Sequence, residues 1–235
     1  MKDQDSKLIQ ALENRIEKSK YADTIVSVFK AIVATTGVGS GIASLISDVI
    51  PSARFIRLEK FTNQLAEEFN TFQGEIDESY LRTEEFGFIF EKCYKGVAEN
   101  YQKEKIEAFK SILINSLVGN CLVQDEKEYF LNLTNSLSAL NIKILKFLAH
   151  PKEYLKANRL SDDIIRGGFR DIFVAVFPDI DIGTLKFAFG DLHSMGFINT
   201  DKSIFSSMTA SRGWDLLPGR VNEYGEKYID FITLG

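Results

Sequence analysis

An apolar segment at 24–51 constrains this chain more than any other part of its sequence. Its central 17 residues carry no charge, and it is interrupted by Gly37, Gly39 and Gly41. Each half provides only about ten residues of helix, or roughly 15 Å, which is half of the roughly 30 Å hydrocarbon core of a bilayer. We therefore predict two amphipathic helices that fold at a glycine hinge into a helical hairpin over 24–50, rather than one membrane span.

Apolar residues recur at helical spacing on both sides of this segment, which predicts an all-helical N-terminal bundle over 1–155. A weak amphipathic helix is expected over 5–20. Proline can open a helix at its first position and disfavours helix in the residue before it, so Pro51 and Pro151 mark boundaries. The expected helices after the hairpin cover 51–72, 86–97, 106–121 and 126–149.

The pattern changes after Pro151, and we predict a second domain over 156–235. Asp181 is placed to cap a helix over 182–194, because an aspartate before an apolar helical run accepts hydrogen bonds from free N–H groups. The remaining expected elements are a helix at 162–176, a turn at 178–181, a short strand at 197–200, a return strand near 212–217 and a final helix at 221–232.

This order of helix, turn, helix and hairpin resembles a winged helix-turn-helix domain over 160–235. Phe187 and Phe189 are similar to residues of that family's second helix, and Gly196 to its turn into the wing. Gly225 and Tyr228 lie in a segment similar to the closing helix of bacterial members. The resemblance implies a mainly α fold with one short β-hairpin, and it implies contact with either DNA or protein.

Charge disfavours the DNA-binding alternative. Residues 160–235 contain seven basic and eleven acidic residues, and the whole chain has a net charge of −5. Phosphate binding normally requires several lysines or arginines on one face. If the domain reads DNA, we expect Lys186, Arg212 and Arg220 to contact it.

A basic cluster follows the apolar segment, formed by Arg54, Arg57 and Lys60. An apolar, glycine-containing segment ending in Ile-Pro and followed by such arginines resembles a group of uncharacterised bacterial helical proteins over 20–150. The resemblance implies a bacterial origin and a helical fold. The cluster also carries the membrane alternative, in which it meets anionic lipid while residues 25–50 enter the bilayer interface.

No motif in the sequence predicts catalysis, a cofactor or a metal. The glycines at 37–41 lack both GxGxxG and Gly-Lys-Ser/Thr patterns, and His150 and His193 share no ligand motif. Cys93 and Cys121 lie in apolar helical patterns, which indicates buried free thiols and a reducing cytoplasm. We therefore expect a protein that is not an enzyme and binds no cofactor.

The leading functional hypothesis is a non-enzymatic protein-interaction or self-association module in the bacterial cytoplasm. The partner is a second protein or another copy of the chain. The first alternative is a peripheral membrane-associating stress or phage-defence effector at the inner membrane. The second alternative is a winged-helix DNA-binding regulator.

Overall fold

The computed structural model describes residues 23, 26–27, 52–71, 78–117, 122–207 and 211–234. These residues form ten α-helices and no β-strand, so the prediction of a mainly α fold is confirmed for this part of the chain. The predicted helix over 5–20 lies outside the described residues. The same holds for nearly all of the hairpin over 24–50, including its glycine hinge.

The helices follow one another closely along the chain. They are α1 Ser52–Thr71, α2 Glu78–Leu81, α3 Glu84–Glu99, α4 Lys103–Leu117, α5 Gln124–Ser136, α6 Ala139–Ala149, α7 Pro151–Ala157, α8 Phe169–Val176, α9 Ile182–Ser194 and α10 Glu223–Ile232. Short 3₁₀ helices cover Asp162–Ile164, Lys202–Ser206 and Gly213–Leu216. The chain divides into two units between Asn135 and Ser136, earlier than the predicted boundary at residue 155.

The N-terminal unit is built on the mutual packing of α1, α3 and α4. Each of these helices buries an apolar stripe, as its helical spacing predicts. Gly96 of α3 leaves room for a side chain of α4, because an added Cβ at this position would lie 2.3 Å from the ring of Phe109. A side chain at position 96 would therefore displace the buried ring of Phe109.

The single long helix predicted over 126–149 is wrong, because the chain breaks at Leu137 and Ser138. Ser138 starts α6 with a capping box: its hydroxyl accepts from the N–H of Asn141 at 3.1 Å, and the Asn141 side chain accepts from the N–H of Ser138 at 3.1 Å. Asn141 also donates to the carbonyl of Ala188 on α9 at 2.9 Å. The break that separates the two units is thus held by side-chain hydrogen bonds rather than by glycine or proline.

Two further expectations for the C-terminal unit have different outcomes. The helix predicted over 162–176 is wrong, since a 3₁₀ turn and α8 are separated by Gly167, which has a φ of +75°. The helix predicted over 182–194 is confirmed as α9. Its predicted cap is confirmed too, because the Asp181 carboxylate accepts from the N–H of Thr184 at 3.0 Å.

The predicted β-hairpin does not form in the described residues. Ile198 and Val221 make one antiparallel bridge, and the predicted return strand near 212–217 is instead the 3₁₀ helix Gly213–Leu216. Gly213 has a φ of +57°, which turns the chain away from extended pairing. The chain therefore approaches itself at one point where a winged helix would have two paired strands.

Aromatic side chains fill the centre of the C-terminal unit. The centre of the Phe173 ring lies 4.7 Å from that of Phe169 and 4.9 Å from that of Phe205. The Phe177 ring centre lies 5.9 Å away. Phe147 on α6 and Phe189 on α9 each lie 5.8 Å from the Phe173 ring. Phe173 therefore joins α6, α8, α9 and the 3₁₀ helix Lys202–Ser206.

We expect Phe173→Ala to lower the free energy of unfolding of the C-terminal unit by about 3–5 kcal/mol, because it leaves a cavity in this cluster. Trp214 is the single tryptophan of the chain, so its fluorescence during urea unfolding reports on this unit alone. Val174→Ala is the matched control, since Val174 neighbours Phe173 and is 45% exposed. A loss below about 1 kcal/mol for Phe173→Ala would contradict the central role of this ring.

Candidate functional site

The basic cluster of α1 is not one surface. Arg54 and Lys60 are exposed, but Arg57 turns towards α3 and donates from Nη2 to the carbonyl oxygen of Ala98 at 2.5 Å. Ala98 lies in the last turn of α3, where carbonyl oxygens lack partners within the helix and the helix dipole favours a cation. Arg57 therefore links two helices of the N-terminal unit.

The three residues that were predicted to contact nucleic acid also have different roles in the structure, and Arg220 is the most deeply engaged of them. Arg220 donates from Nε to the carbonyl of Leu216 at 2.7 Å and from Nη1 to the hydroxyl of Thr200 at 3.0 Å. Its guanidinium lies 5.8 Å from the centre of the Phe169 ring, and burial lowers its pKa. Arg220 thus stabilises the segment around the β-bridge.

Lys186 and Arg212 lie on different elements of the C-terminal unit. Lys186 is half-buried on α9, and its ammonium lies 3.4 Å from the hydroxyl of Ser206. Arg212 is exposed and immediately precedes the 3₁₀ helix Gly213–Leu216. Two of the three predicted contacts therefore have hydrogen-bond partners inside the unit.

The exposed side of α9 carries a large aromatic side chain. Phe187 is 69% exposed at the sixth position of this 13-residue helix, although Phe189 two positions later is fully buried. Thr184 and Asp191 are exposed one turn before and one turn after Phe187. Met195 is 40% exposed just past the end of the helix.

Lys202 covers part of this surface. Its ammonium lies 5.3 Å from the centre of the Phe187 ring, and its Cδ lies 3.2 Å from the position that a Cβ of Gly190 would occupy. The alkyl stem of Lys202 therefore passes over the helix beside Gly190. We call the surface formed by Thr184, Phe187, Gly190, Asp191 and Lys202 the Phe187 face.

The helical period could have identified Phe187 from the sequence. The buried stripe of α9 is formed by Leu185, Ala188, Phe189 and Leu192, which are spaced as one helix face. Phe187 lies outside that stripe. The resemblance to a winged helix groups Phe187 with Phe189 and does not separate the exposed ring from the buried one.

A second group of polar residues lies in the N-terminal unit. The Lys127 ammonium lies 2.8 Å from the Glu85 carboxylate, and the Tyr80 hydroxyl donates to the same carboxylate at 2.9 Å. Burial and the Glu85 charge raise the pKa of Tyr80. The group joins α2, α3 and α5, and its charges are mutually neutralised, so it is best explained by helix packing.

Lys105 is the most unusual ionisable residue of this unit. It is 3% exposed, and its ammonium donates to the backbone carbonyls of Thr134 and Asn135 near the end of α5. Burial lowers its pKa to about 8. Lys110, by contrast, is paired with Glu68 and Glu107, and these pairings raise its pKa above the ordinary value.

The remaining predictions concern the two cysteines, metal binding and membrane spans. Cys93 is fully buried in α3, and burial raises the pKa of its thiol, whereas Cys121 lies outside the described residues. Within the ranges that the structure covers, no three metal-binding side chains come together. None of the helices described there is long and apolar enough to span a bilayer.

No protein-family model, curated protein or solved structure matches this chain. The described residues therefore define its class by their own fold, which is mainly α and divided into two units. The C-terminal unit contains two successive helices, α8 and α9, joined by a short turn.

We expect the stability contributed by Lys105 to rise with pH. Its pKa is about 8 in the folded chain and 10.5 in the unfolded chain, so the unfolded chain holds more protons between these values. The free energy of unfolding of the wild type should therefore increase over this window relative to Lys105→Met, by at most about 1.4 kcal/mol per pH unit. Below about pH 7, where the ammonium is protonated in both states, the difference should be constant.

Urea unfolding followed by circular dichroism at several pH values between 7 and 10 measures this difference. Lys103→Met is the matched control, because Lys103 belongs to the same helix and is exposed. Parallel pH curves for the wild type and Lys105→Met would contradict the lowered pKa.

Proposed function

We propose that this chain is a non-enzymatic self-association module that pairs through the Phe187 face. The observation that carries the proposal is the 69% exposure of Phe187 at the middle of α9. Exposed aromatic side chains at the centre of a surface are typical anchors of protein interfaces. A second copy of the same chain is the occupant that the charges of this face favour.

The Phe187 face is complementary to itself. When two copies of α9 cross antiparallel about Phe187, residues one turn after Phe187 in one copy lie opposite residues one turn before it in the other. Asp191 of one copy then lies opposite Thr184 of the other, and both residues are exposed. Lys202 and Asp191 also give the face both signs of charge, so two copies do not repel each other.

The helix order supports a winged-helix relationship as well. α8, the turn at 178–181 and α9 follow the order of a helix-turn-helix motif, and Gly196 turns the chain with a φ of +77° into the β-bridge. We propose that the C-terminal unit is a reduced winged helix, in which the bridge between Ile198 and Val221 takes the place of the wing. Its second helix presents Phe187 rather than a row of cations.

We expect the purified full chain to form a dimer whose fraction rises with concentration. Phe187→Ser should raise the dissociation constant of this dimer by roughly 30-fold, because truncating a central aromatic anchor costs about 2 kcal/mol. Sedimentation velocity over a range of concentrations measures both quantities. A wild type that remains monomeric at the highest accessible concentration contradicts the proposal.

The control for this experiment is Tyr101→Ser, since Tyr101 is 77% exposed in the N-terminal unit and lies outside the Phe187 face. The dimer of the Tyr101→Ser variant should have the same dissociation constant as the wild-type dimer. If Tyr101→Ser disrupts the dimer while Phe187→Ser does not, the chain associates through the N-terminal unit instead.

The DNA-binding and membrane alternatives are tested with the same preparation. Salt-dependent retention on heparin would favour the regulator, and co-sedimentation with anionic vesicles would favour the effector. The helix-turn-helix order supports the first of these alternatives. The exposed Arg54 and Lys60 are the described residues that remain available for the second.

A further inference from the structure

A cleft of about 280 Å³ opens on the surface of the C-terminal unit, between the start of α7 and the chain at 214–226. Its floor contains the apolar side chains of Leu148, Leu217 and Val221. Trp214 lines it as the single tryptophan of the chain and is partly exposed. The volume lies below the usual range of about 300–1,000 Å³ for small-molecule sites, so the cleft suits one extended side chain or a small ligand.

The ammonium group of Lys152 already occupies a position over the indole of Trp214. The Lys152 ammonium lies 5.8 Å from the centre of the Trp214 ring system, within the distance at which a cation is attracted to an aromatic face. The side chain of Lys152 is exposed, so it can leave this position without disturbing the core. The contact with Lys152 therefore shows that the face of the Trp214 indole accepts an alkylammonium group.

Two carboxylates also line the cleft. Glu153 lies on α7, and Glu226 lies in the first turn of α10. Neither forms an ion pair with another described residue. Together with the Lys152 ammonium they give the cleft an excess of negative charge, which a second cation would neutralise.

We propose that this cleft binds an organic cation with an alkyl stem, either the side chain of a lysine in a peptide or a free alkylammonium ion. The apolar floor takes the stem, the indole of Trp214 takes the cationic head in place of Lys152, and the two carboxylates balance its charge. Lys152 occupies the cation position when no ligand is bound. This site does not depend on the Phe187 face.

The single tryptophan makes the site directly measurable. Trp214 fluorescence of the full chain is titrated with n-butylammonium chloride at constant ionic strength, with sodium chloride as the ionic control and butan-1-ol as the neutral control. We expect a saturable change with n-butylammonium alone. An equal response to butan-1-ol, or no saturable response in either the wild type or Lys152→Met, overturns the proposal.

Two variants separate the cation site from a general surface effect. Lys152→Met keeps the stem and removes the competing charge, so it should bind n-butylammonium roughly threefold more tightly or better. Glu226→Gln should bind it more weakly by a similar factor. Weaker binding by Lys152→Met overturns the proposal. Circular dichroism and the emission maximum of Trp214 check that both variants fold.

A short peptide whose single charge is that of a central lysine distinguishes the two sources of the cation. Binding of this peptide at least tenfold more tightly than n-butylammonium supports a protein side chain as the ligand, and equal or weaker binding supports a free amine. Phe187→Ser should leave both titrations unchanged. A loss of the response in that variant overturns the independence of the two sites.

Discussion

The ring cluster around Phe173 is the interaction on which the C-terminal unit depends. It brings together side chains from α6, α8, α9 and a 3₁₀ helix, with ring centres 4.7 to 5.9 Å from that of Phe173. Burying one side of α9 against these rings sets the rotation of that helix about its axis. Because Phe189 points into the cluster, Phe187 is turned outward. The exposed aromatic surface is therefore a direct result of how the core is packed.

The N-terminal unit contains a second kind of interaction, in which basic side chains donate hydrogen bonds to carbonyl oxygens at the ends of helices. Arg57 donates to the last turn of α3, and Lys105 donates to the last carbonyls of α5. Both side chains donate to carbonyl oxygens near the C-terminal end of a helix. The Arg57 guanidinium also brings a charge that the helix dipole favours, whereas burial lowers the pKa of Lys105, so its contribution is the hydrogen bonds rather than the charge. This explains why basic residues that look like a surface cluster in the sequence are divided between the interior and the surface.

Helical periodicity was sufficient to predict most helices, because each buries one continuous stripe. It could not predict the break at Ser138, since the apolar spacing continues through it and the capping box needs only a serine and an asparagine. The predicted β-hairpin was wrong, since the described residues form a single bridge instead. Gly213 has a left-handed φ in the segment where the return strand was predicted, and apolar spacing does not show the backbone conformation of a glycine. It also does not show the hydrogen bond from Arg220 to Thr200, which joins residues 20 positions apart.

The role of Arg220 also bears on the candidate function. In the described part of the C-terminal unit, this arginine is committed to Thr200, Leu216 and the Phe169 ring, so it stabilises the turn beside the bridge instead of extending from it. A helix-turn-helix pair binds phosphate through cations that project from its second helix and its wing. In the described residues, α9 exposes Phe187, and the predicted wing is a single bridge between Ile198 and Val221. The exposed residues of α9 therefore lack the row of cations that phosphate contact requires, which is why the proposal above assigns this face to protein.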